Sequence, residues 1–262
     1  MSATDNLRRI QERIGAELFR KDRQTRYLVK RSEEEQALEA VFDRRTLFTL
    51  YSMINRGLLD YLNGVVRSGK EARVYWGRKD ERDVAVKIFY TVTTSFKNRT
   101  IYITGDRRFQ GVPTSGRTMV YEWAKKEFKN LTLARDAGVP VPEPLHVEKN
   151  VIMMEFIGDY GIPAPTLAEL GSGTQKDYNA VLVSMKKLYR HAGLVHGDLS
   201  EFNIFKYKGK IMLFDFASAV ERAHPMADEL LVRDIKNINR FFSKVGVSTL
   251  KAEQILKRVK ST

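Results

Sequence analysis

The stretch LVHGDLSEFNIF, residues 194–205, holds the densest group of chemically active side chains in the sequence. It brings His196, Asp198 and Asn203 together, and the following segment KYKGKIMLFDFA adds Asp215 after a pattern that predicts a strand, a turn and a strand. The tripeptide HGD alone is common and carries little information. The order and spacing of the whole set indicate metal and phosphate chemistry, because carboxylate and amide oxygens are the ligands that hard cations prefer.

The spacing His196-x-Asp198-x4-Asn203, followed by the triplet DFA at Asp215, matches the protein-kinase motifs HRDxxxxN and DFG. In that pattern Asp198 is the base or orienter for the attacking oxygen. Asn203 and Asp215 bind the metal ion that neutralises developing charge. HGD stands where HRD is usual, so Gly197 replaces the arginine that reads activation-loop phosphorylation.

Upstream, the predicted strand DVAVK supplies Lys87, as the VAIK motif does in kinases. The predicted helix MVYEWAKKEFKNLTLARDAG ends at a Gly138 cap and carries Glu127 on the same apolar stripe as Trp123 and Leu131. A carboxylate on such a stripe needs a partner, because an unpaired buried charge is very costly. We therefore expect Glu127 to position Lys87, which would hold the α- and β-phosphates of ATP.

The stretch NGVVRSGKEARVYWG, residues 63–77, begins like a Walker loop but has Glu71 where a Ser or Thr should hold magnesium. A Walker loop leads into a helix, whereas GVVRS, RVYWG and DVAVKIFY predict consecutive strands. We therefore expect a hairpin loop whose backbone N–H groups, with the Ser68 hydroxyl and the Lys70 ammonium, contact the ATP phosphates. The alternative is an exposed turn. The predicted contact residues are Ser68, Gly69, Lys70, Glu71 and Ala72.

Composition limits the class of protein. The 262 residues are 43% hydrophobic, enough for one sizeable core or two lobes that share an interface. The sequence has no Cys and no HExxH pair among its 4 His, which excludes disulfides, thiolate nucleophiles and the common zinc sites. No apolar run is long enough for a membrane helix, so we expect a cytoplasmic protein without a membrane partner.

The formal net charge of +13 favours a polyanionic partner such as nucleic acid, although a basic solvated surface is the alternative. Basic residues are concentrated in residues 91–117, TVTTSFKNRTIYITGDRRFQGVPTSGR, where Asp106 is the single acid. This insert is expected to lack regular structure, to be mobile without ligand, and either to contact RNA or partner phosphates or to be a solvated linker. The candidate contacts are Lys97, Arg99, Arg107, Arg108 and Arg117.

The predicted fold class is α+β, a two-lobed protein-kinase-like fold. Residues 1–60 form an N-terminal helical extension packed on the kinase core, residues 61–154 form the N-lobe with a flexible basic insert at about 91–118, and residues 155–262 form a truncated C-lobe. The Gly- and Pro-rich end of NVIMMEFIGDYGIPAPTL predicts the hinge. The residues after Asp215 contain no APE triplet and leave no room for an activation segment and peptide-binding helices.

SGKEA, VAVK, the basic insert, MEFIG, PAPTL, HGDLSEFN and FDFA together resemble the Rio family of atypical serine/threonine protein kinases over residues 42–242. The helices that precede SGKEA are similar to the first Rio subfamily in its short archaeal-like form. The resemblance implies ATP with Mg²⁺ or Mn²⁺ as cofactors. It also implies that adenine pairs with the backbone of Glu155 and Ile157, next to Met154.

The same resemblance implies phosphoryl transfer to Ser or Thr, including autophosphorylation in the insert, or an ATPase cycle with a phosphoaspartate on Asp215. Its implied partner is the pre-small-ribosomal-subunit particle, through rRNA and ribosomal proteins. Candidate acceptors in the insert are Ser95, Thr104, Thr114, Ser115 and Thr118. Two other classes remain open: an HGD-type small-molecule or tRNA-modification kinase, and a non-catalytic assembly module switched by nucleotide.

Overall fold

The computed structural model describes residues 43–91, 100–103, 105–109, 111 and 116–261. They form an N-terminal lobe on a five-stranded sheet and a mainly helical C-terminal lobe, which confirms the predicted two-lobed α+β fold. The N-terminal elements are α1 (Arg44–Asn55), β1 (Tyr61–Ser68), β2 (Ala72–Lys79), β3 (Arg82–Phe89), α2 (Thr100–Ile103), a 3-10 turn (Arg107–Phe109), α3 (Gly116–Asp136), β4 (Pro144–Glu148) and β5 (Val151–Glu155).

The C-terminal lobe begins with a small hairpin at the hinge and ends in two packed helices. Its elements are β6 (Gly158–Asp159), β7 (Ile162–Pro163), α4 (Leu167–Leu170), α5 (Gln175–Arg190), β8 (Leu194–Val195), a 3-10 turn (Glu201–Asn203), β9 (Ile204–Tyr207), β10 (Lys210–Leu213), β11 (Val220–Glu221), α6 (Ala227–Lys244) and α7 (Ala252–Lys260). From the Asp215 segment the described chain runs through β11 directly into α6.

The antiparallel sheet has the order β1-β2-β3-β5-β4, with β3 at its centre. Successive side chains of a strand point to opposite faces. Val84 and Val86 therefore pack into the cluster that contains Leu50 of α1, while Ala85 packs into the main core and Lys87 faces the interlobe cavity. The alternation that buries β3 on both faces also aims Lys87 at the cavity.

The N-terminal helical extension is described only from residue 43; its predicted helices in residues 1–42 lie outside the described residues. Helix α1 begins where Asp43 accepts hydrogen bonds from the amides of Arg45 and Thr46, which satisfies donors that a helix start leaves open. The helix ends before Gly57, which adopts a φ of 66°. Its apolar face covers the outer side of the sheet.

Helix α3 joins the lobes, because its apolar stripe of Trp123, Leu131 and Ala134 is fully buried while polar residues on the same face reach the site. It ends as predicted near Gly138, whose φ of 72° suits a left-handed cap. Among the described residues, no helix has both the length and the apolar composition to span a bilayer.

The expectation that residues 91–117 lack regular structure is wrong for the described part of that segment. It contains α2, the 3-10 turn and the start of α3 at Gly116. Phe109 is buried against Trp123, with ring centroids 6.3 Å apart, and Asp106 is only 6% exposed. The polar composition concealed this packing, because the charge of Asp106 is satisfied by Arg108 rather than by solvent.

Candidate active site

A cavity of about 440 Å³ lies between the lobes, under the β1–β2 hairpin and β3 and in front of α3. Most of the predicted site residues line it: Gly69, Lys70, Glu71, Ala72, Lys87, Glu127, Met154, Glu155, Ile157, Asp198 and Asp215. Ser68 and Asn203, although predicted, do not line it, and Ser68 is exposed. Apolar side chains, including Val74, Ala85 and Phe214, form a slot beside these polar groups, as expected of a ligand site.

An ion-paired triad lies at the back of the cavity. The Lys87 ammonium lies 2.8 Å from both carboxylate oxygens of Glu127 and 2.9 Å from Oδ1 of Asp215. Glu127 is completely buried, whereas the side chain of Asp215 is 44% exposed to the cavity. The predicted pairing of Lys87 with Glu127 is therefore present, and a further contact ties the lysine to Asp215.

Burial and charge act in opposite directions on the triad. Burial alone would lower the pKa of Lys87, but the charges of Asp215 and Glu127 raise it overall. Burial raises the pKa of Glu127 to about 7 against the influence of Lys87. Burial would also raise the pKa of Asp215, but the Lys87 charge and hydrogen bond outweigh it and lower that pKa. The cavity-facing carboxylate is thus the more acidic of the two.

Asp198 faces the cavity on the loop after β8. Burial, and then the charge of Asp215, raise the pKa of its carboxyl group. The amide of Asn203 donates to the Asp198 carbonyl at 2.8 Å. Burial lowers the pKa of His196 to about 4, so this ring is neutral, and its Nε2 donates to the Phe214 carbonyl at 3.1 Å. His196 therefore links the Asp198 loop to the Asp215 segment.

Gly197 explains why HGD stands where kinases have HRD. Its φ is 77°, and a Cβ there would lie 2.7 Å from the Ser218 carbonyl oxygen. A side chain would meet backbone that has no flexible end to move aside. The loop that carries Asp198 can approach the loop that carries Asp215 only because residue 197 is glycine.

Asp234 on α6 is a site residue that the sequence reasoning missed. Its carboxylate accepts from the amides of Gly197 at 2.8 Å and Leu199 at 2.9 Å, which flank Asp198. Arg233 adds a contact to the Gly197 carbonyl and one to the Tyr102 hydroxyl. Asp234 shares the buried face of α6 with apolar residues, so the signal that singled out Glu127, a carboxylate on an apolar stripe, applied here too.

The loop after Asp215 is held by two polar residues of α3 that the sequence reasoning also missed. Lys126 donates to the Ala217 carbonyl at 2.7 Å, and the Asn130 amide donates to the carbonyls of Phe216 and Ala219, each at 3.0 Å. Asp215 itself has a φ of 63°, which is uncommon for a residue with a side chain and is tolerated best by Asp and Asn. The contacts of Lys126 and Asn130 with the following residues hold Asp215 in this conformation.

The donor set fits Mg²⁺ or Mn²⁺ held jointly with a nucleotide. Mg²⁺ is usually bound through one or two carboxylates and substrate phosphates, with hard oxygen ligands throughout. The Asp215 carboxylate faces the cavity, and Asn203 uses its amide nitrogen on the Asp198 carbonyl, which leaves its oxygen for a ligand. Within the described ranges no cluster of three or more His, Cys, Asp or Glu could hold an ion without a nucleotide.

Backbone geometry also restricts the contacts at the hairpin and the hinge. The hairpin is closed by the Gly69 amide, which donates to the Ala72 carbonyl at 2.9 Å. At the hinge, the Glu155 amide donates to the Glu143 carbonyl and the Ile157 carbonyl accepts from the Ala164 amide, each at 2.8 Å. Of the Glu155 and Ile157 backbone groups predicted to contact adenine, the Glu155 carbonyl and the Ile157 amide take no part in these bonds.

The basic insert supplies one correction at residue level. Arg108 binds Asp106 and Asn130, which removes it from the candidate RNA contacts. Arg107 and Arg117 are exposed. Lys97, Arg99, Ser95, Thr104, Thr114 and Ser115 lie outside the described residues, whereas Thr118 is exposed in the first turn of α3.

The two lobes, the Lys87–Glu127 pair and the adjacent loops that carry Asp198 and Asp215 define a member of the protein-kinase-like class. A family described as the RIO domain matches residues 73–255. The chain therefore belongs to the RIO family, as the sequence motifs predicted. The match extends over the hairpin from β2 onward, the hinge and both loops.

Similar curated proteins carry the same family name. The chain is 38% identical over 232 residues to the RIO-type serine/threonine-protein kinase Rio1 of Haloferax volcanii, covering 87% of this chain and 80% of that protein. It is 40% identical over 217 residues to Rio1 of Methanocaldococcus jannaschii, covering 82% and 74%. It is 37% identical over 233 residues to serine/threonine-protein kinase RIO1 of Caenorhabditis elegans, covering 87% and 46%.

The chain thus spans less than half the length of the Caenorhabditis elegans relative. Among solved structures it resembles the Rio2 kinase-ADP/Mg²⁺-phosphoaspartate complex from Chaetomium thermophilum, with a TM-score of 0.59 and 22% identity over 83% of this chain and 67% of that one. It also resembles the Rio2 kinase from the same fungus, with a TM-score of 0.61 and 19% identity over 100% and 87%. These likenesses show the same fold.

Proposed function

We propose that the protein is an ATP-dependent serine/threonine protein kinase of the RIO type. The observation that carries the proposal is the contact of Lys87 with both Glu127 and Asp215 in a cavity that Asp198 also lines. A pure scaffold has no need for a buried carboxylate, a cavity-facing carboxylate and a base arranged in this way, and such clusters mark functional sites. The serine/threonine kinase names of the relatives support the same reaction class.

Each residue then has a distinct task. Lys87 holds the α- and β-phosphates and is kept charged and oriented by Glu127. Asp198, with its raised pKa, accepts the proton of the attacking Ser or Thr hydroxyl group. The hydroxyl oxygen bonds to the γ-phosphorus as ADP departs. Asp215 and Asn203 hold Mg²⁺ or Mn²⁺, which when bound neutralises charge on the phosphates.

Nucleotide contacts come from the hairpin and the hinge. The Glu155 carbonyl and the Ile157 amide pair with the adenine edge next to Met154 in this proposal, which their position in the cavity lining supports. The backbone from Gly69 to Ala72 and the Lys70 side chain cover the phosphates. Ser68, outside the cavity lining, reaches the phosphates only if the hairpin closes further over the nucleotide.

Asp215 is a second candidate acceptor for the γ-phosphate. Its lowered pKa keeps it a carboxylate, so one oxygen can bond to the γ-phosphorus, release ADP and form an acyl phosphate that water later hydrolyses. The similar Rio2 kinase was solved as an ADP/Mg²⁺-phosphoaspartate complex, which supports this route. The route would make the protein an ATPase switch, using the same site for a different product.

The proposed setting is maturation of the small ribosomal subunit in the cytoplasm. The net charge of +13 favours rRNA as a contact through counterion release, with ribosomal proteins beside it. Exposed Arg107 and Arg117 of the insert are the described candidates for that contact.

The test is incubation with ATP labelled on its γ-phosphate, followed by denaturation and hydroxylamine, which cleaves acyl phosphates and leaves Ser and Thr phosphates. Hydroxylamine-resistant label in the wild type that is absent from Asp198→Ala and Lys87→Ala supports the kinase. Hydroxylamine-labile label that disappears in Asp215→Asn supports the ATPase switch. Asp198→Ala should lower turnover about 10²- to 10⁴-fold, the usual contribution of a positioned acid or base.

Two results would favour other functions. ATP could change the affinity for the pre-small-ribosomal-subunit particle equally in the wild type and in Asp198→Ala, with neither protein acquiring labelled phosphate. This result would indicate a non-catalytic nucleotide switch. Stimulation of ATP consumption by a small alcohol more than by ribosomal particles would indicate a small-molecule kinase.

A further inference from the structure

The described end of the basic insert is attached to the back of the active site. Asp106 and Phe109 are buried, and Phe109 packs against Trp123 of α3. This short segment is therefore part of the core, although it lies in a basic and polar stretch of the sequence. Its polar contacts lead directly to the loop that carries Asp215.

Arg108 is the centre of these contacts. Its Nε lies 2.9 and 3.1 Å from the two Asp106 oxygens, and its Nη2 lies 2.6 Å from Oδ2. Its Nη1 donates to the side-chain oxygen of Asn130 at 2.7 Å. The planar guanidinium thus neutralises Asp106 on one side and presents a fixed donor to Asn130 on the other, which a lysine could not do with the same geometry.

Arg108 determines which way the Asn130 amide points. A guanidinium has donors only, so the Asn130 oxygen must face Arg108 and the nitrogen must face away. That nitrogen donates to the carbonyls of Phe216 and Ala219, each at 3.0 Å, and Asn130 has no solvent exposure. If the amide turned over, its oxygen would face two carbonyl oxygens and its nitrogen would face a cation.

We propose that Arg108 is a positioning residue for the metal-binding loop, acting through Asn130 on the backbone immediately after Asp215. The inference rests on the proposed function, since it assigns Asp215 to a metal held with the nucleotide. Gly197 stands where kinases carry the arginine that reads activation-loop phosphorylation, and the contacts of Arg108 with Asp106 and Asn130 need no phosphate group. The metal-binding loop would then be set in its active geometry by the packing of residues 105–109 on α3, without a phosphorylation event.

The inference predicts a specific defect in metal use. Asn130→Asp keeps an acceptor for Arg108 but loses the donor to both carbonyls. The double variant Asp106→Asn/Arg108→Met removes the guanidinium without leaving Asp106 as an unpaired buried charge, which could prevent folding. Lys125→Met is the matched control, because it removes a cation from an exposed position on the same helix.

The measurement is the dissociation constant of a fluorescent ADP for the full chain with EDTA and with saturating Mg²⁺, alongside the unfolding temperature. We expect the Mg²⁺-dependent gain in ADP affinity to fall about 10-fold in both variants, the size of one or two lost hydrogen bonds. The metal-free constant should change little, and Lys125→Met should match the wild type. A merely structural role would weaken ADP binding equally with and without Mg²⁺.

If both variants fold and Mg²⁺ raises their affinity for ADP as much as it does in the wild type, the inference is overturned while the proposed function stays intact. Equal losses with and without Mg²⁺ would also overturn it. If wild-type protein bound ADP no better with Mg²⁺ than with EDTA, the assignment of the metal to Asp215 would fall, and the role of Arg108 with it.

Discussion

One ammonium shared by two carboxylates gives the site its chemical asymmetry. Glu127 is enclosed by protein and has a pKa raised to about 7 by burial, whereas Asp215 faces the cavity with a lowered pKa. Lys87 therefore has one partner that can take up a proton near neutral pH and one that stays ionised. Strongly interacting groups of this kind titrate as a set, so a proton on Glu127 weakens the hold on Lys87 from that side.

We predict that the KM for ATP rises as pH falls from about one unit above the Glu127 pKa to about one unit below it. The raised carboxyl pKa means that Glu127 becomes neutral in this range, so Lys87 is drawn toward Asp215 and holds the phosphates less well. Glu127→Gln should have the high KM at every pH. Steady-state kinetics across the range check this, and Asp198, whose pKa is also raised, should affect kcat rather than KM.

An unchanged pH dependence of KM in Glu127→Gln would place the titrating group elsewhere. Glu122→Gln is a suitable control, because Glu122 lies five residues before Glu127 on α3 and pairs with the exposed Lys125.

At the scale of single residues, the sequence was informative where chemistry and burial coincide. Lys87 and Glu127 were predicted as a pair because a carboxylate on an apolar stripe needs a cation, and their separation is 2.8 Å. Arg108 was assigned to the basic insert as a candidate RNA contact, because its partners could not be identified from spacing alone. Asn130 is far from it in sequence, and only the packing of the insert on α3 brings the two together.

The Asp198 loop illustrates how elements cooperate. The loop follows the very short strand β8 (Leu194–Val195) and has little regular hydrogen bonding of its own. Helix α6 provides the missing support, because Asp234 accepts from the amides on either side of Asp198. Burial raises the pKa of Asp234 to about 7, against the two amide bonds that favour its anion. The loop that carries Asp198 is thus held by a helix from a later part of the chain.

We predict that Asp234→Asn lowers kcat by about 10-fold or more while changing the KM for ATP little, because an amide group can accept from only one of the two N–H groups and opposes the other. The substitution should misalign the Asp198 side chain without weakening nucleotide binding. Asp228→Asn on the first turn of α6 is the control, since its pair with Lys260 is exposed. Matched losses in kcat and in ATP affinity would instead indicate a general collapse of the loop.

At the scale of elements, the sequence predicted the regular periodic segments well and the context-dependent ones poorly. The β1–β3 hairpins and α3 follow from alternating or helical apolar patterns and, for α3, from the Gly138 cap. The insert did not follow, because α2 and the 3-10 turn gain their order from Trp123 and Arg108, which are tertiary contacts. Asp234 lies on an apolar helix face as Glu127 does, but it was missed because that pattern indicates only that a partner is needed and does not identify the amides of Gly197 and Leu199 as that partner.

The two lobes meet across the interlobe cavity, where Lys87 and α3 contact the Asp215 loop, and a surface ion pair also links them. Arg67 of β1 lies 2.7 Å from Glu169 of α4, and its guanidinium lies 5.8 Å from the centre of the Phe214 ring. Phe214 in turn stacks on Phe205, with ring centroids 3.9 Å apart. Arg67 therefore connects the N-terminal lobe to both a C-terminal helix and the aromatic floor of the cavity.

The exposed Arg67–Glu169 pair should contribute little to stability, at most about 1 kcal/mol. It does, however, join the two lobes beside the cavity that Arg67 lines, so its loss should favour an open arrangement of the lobes. We predict that Arg67→Ala speeds the release of ADP about 2- to 5-fold, as expected for loss of a weak ion pair, while the unfolding temperature stays close to that of the wild type. Stopped-flow displacement of a fluorescent ADP measures the release rate.

Arg56→Ala is the matched control, because Arg56 makes an ion pair of the same 2.7 Å length with Glu148 entirely within the N-terminal lobe. If the interlobe position matters, only Arg67→Ala accelerates release. Glu169→Gln should reproduce most of the effect, and the part that Arg67→Ala adds would measure its contact with Phe214. Equal release rates in the Arg67 and Arg56 variants would mean that the surface pair does not control opening. The pair would then contribute equally to the free energies of the open and closed arrangements of the lobes.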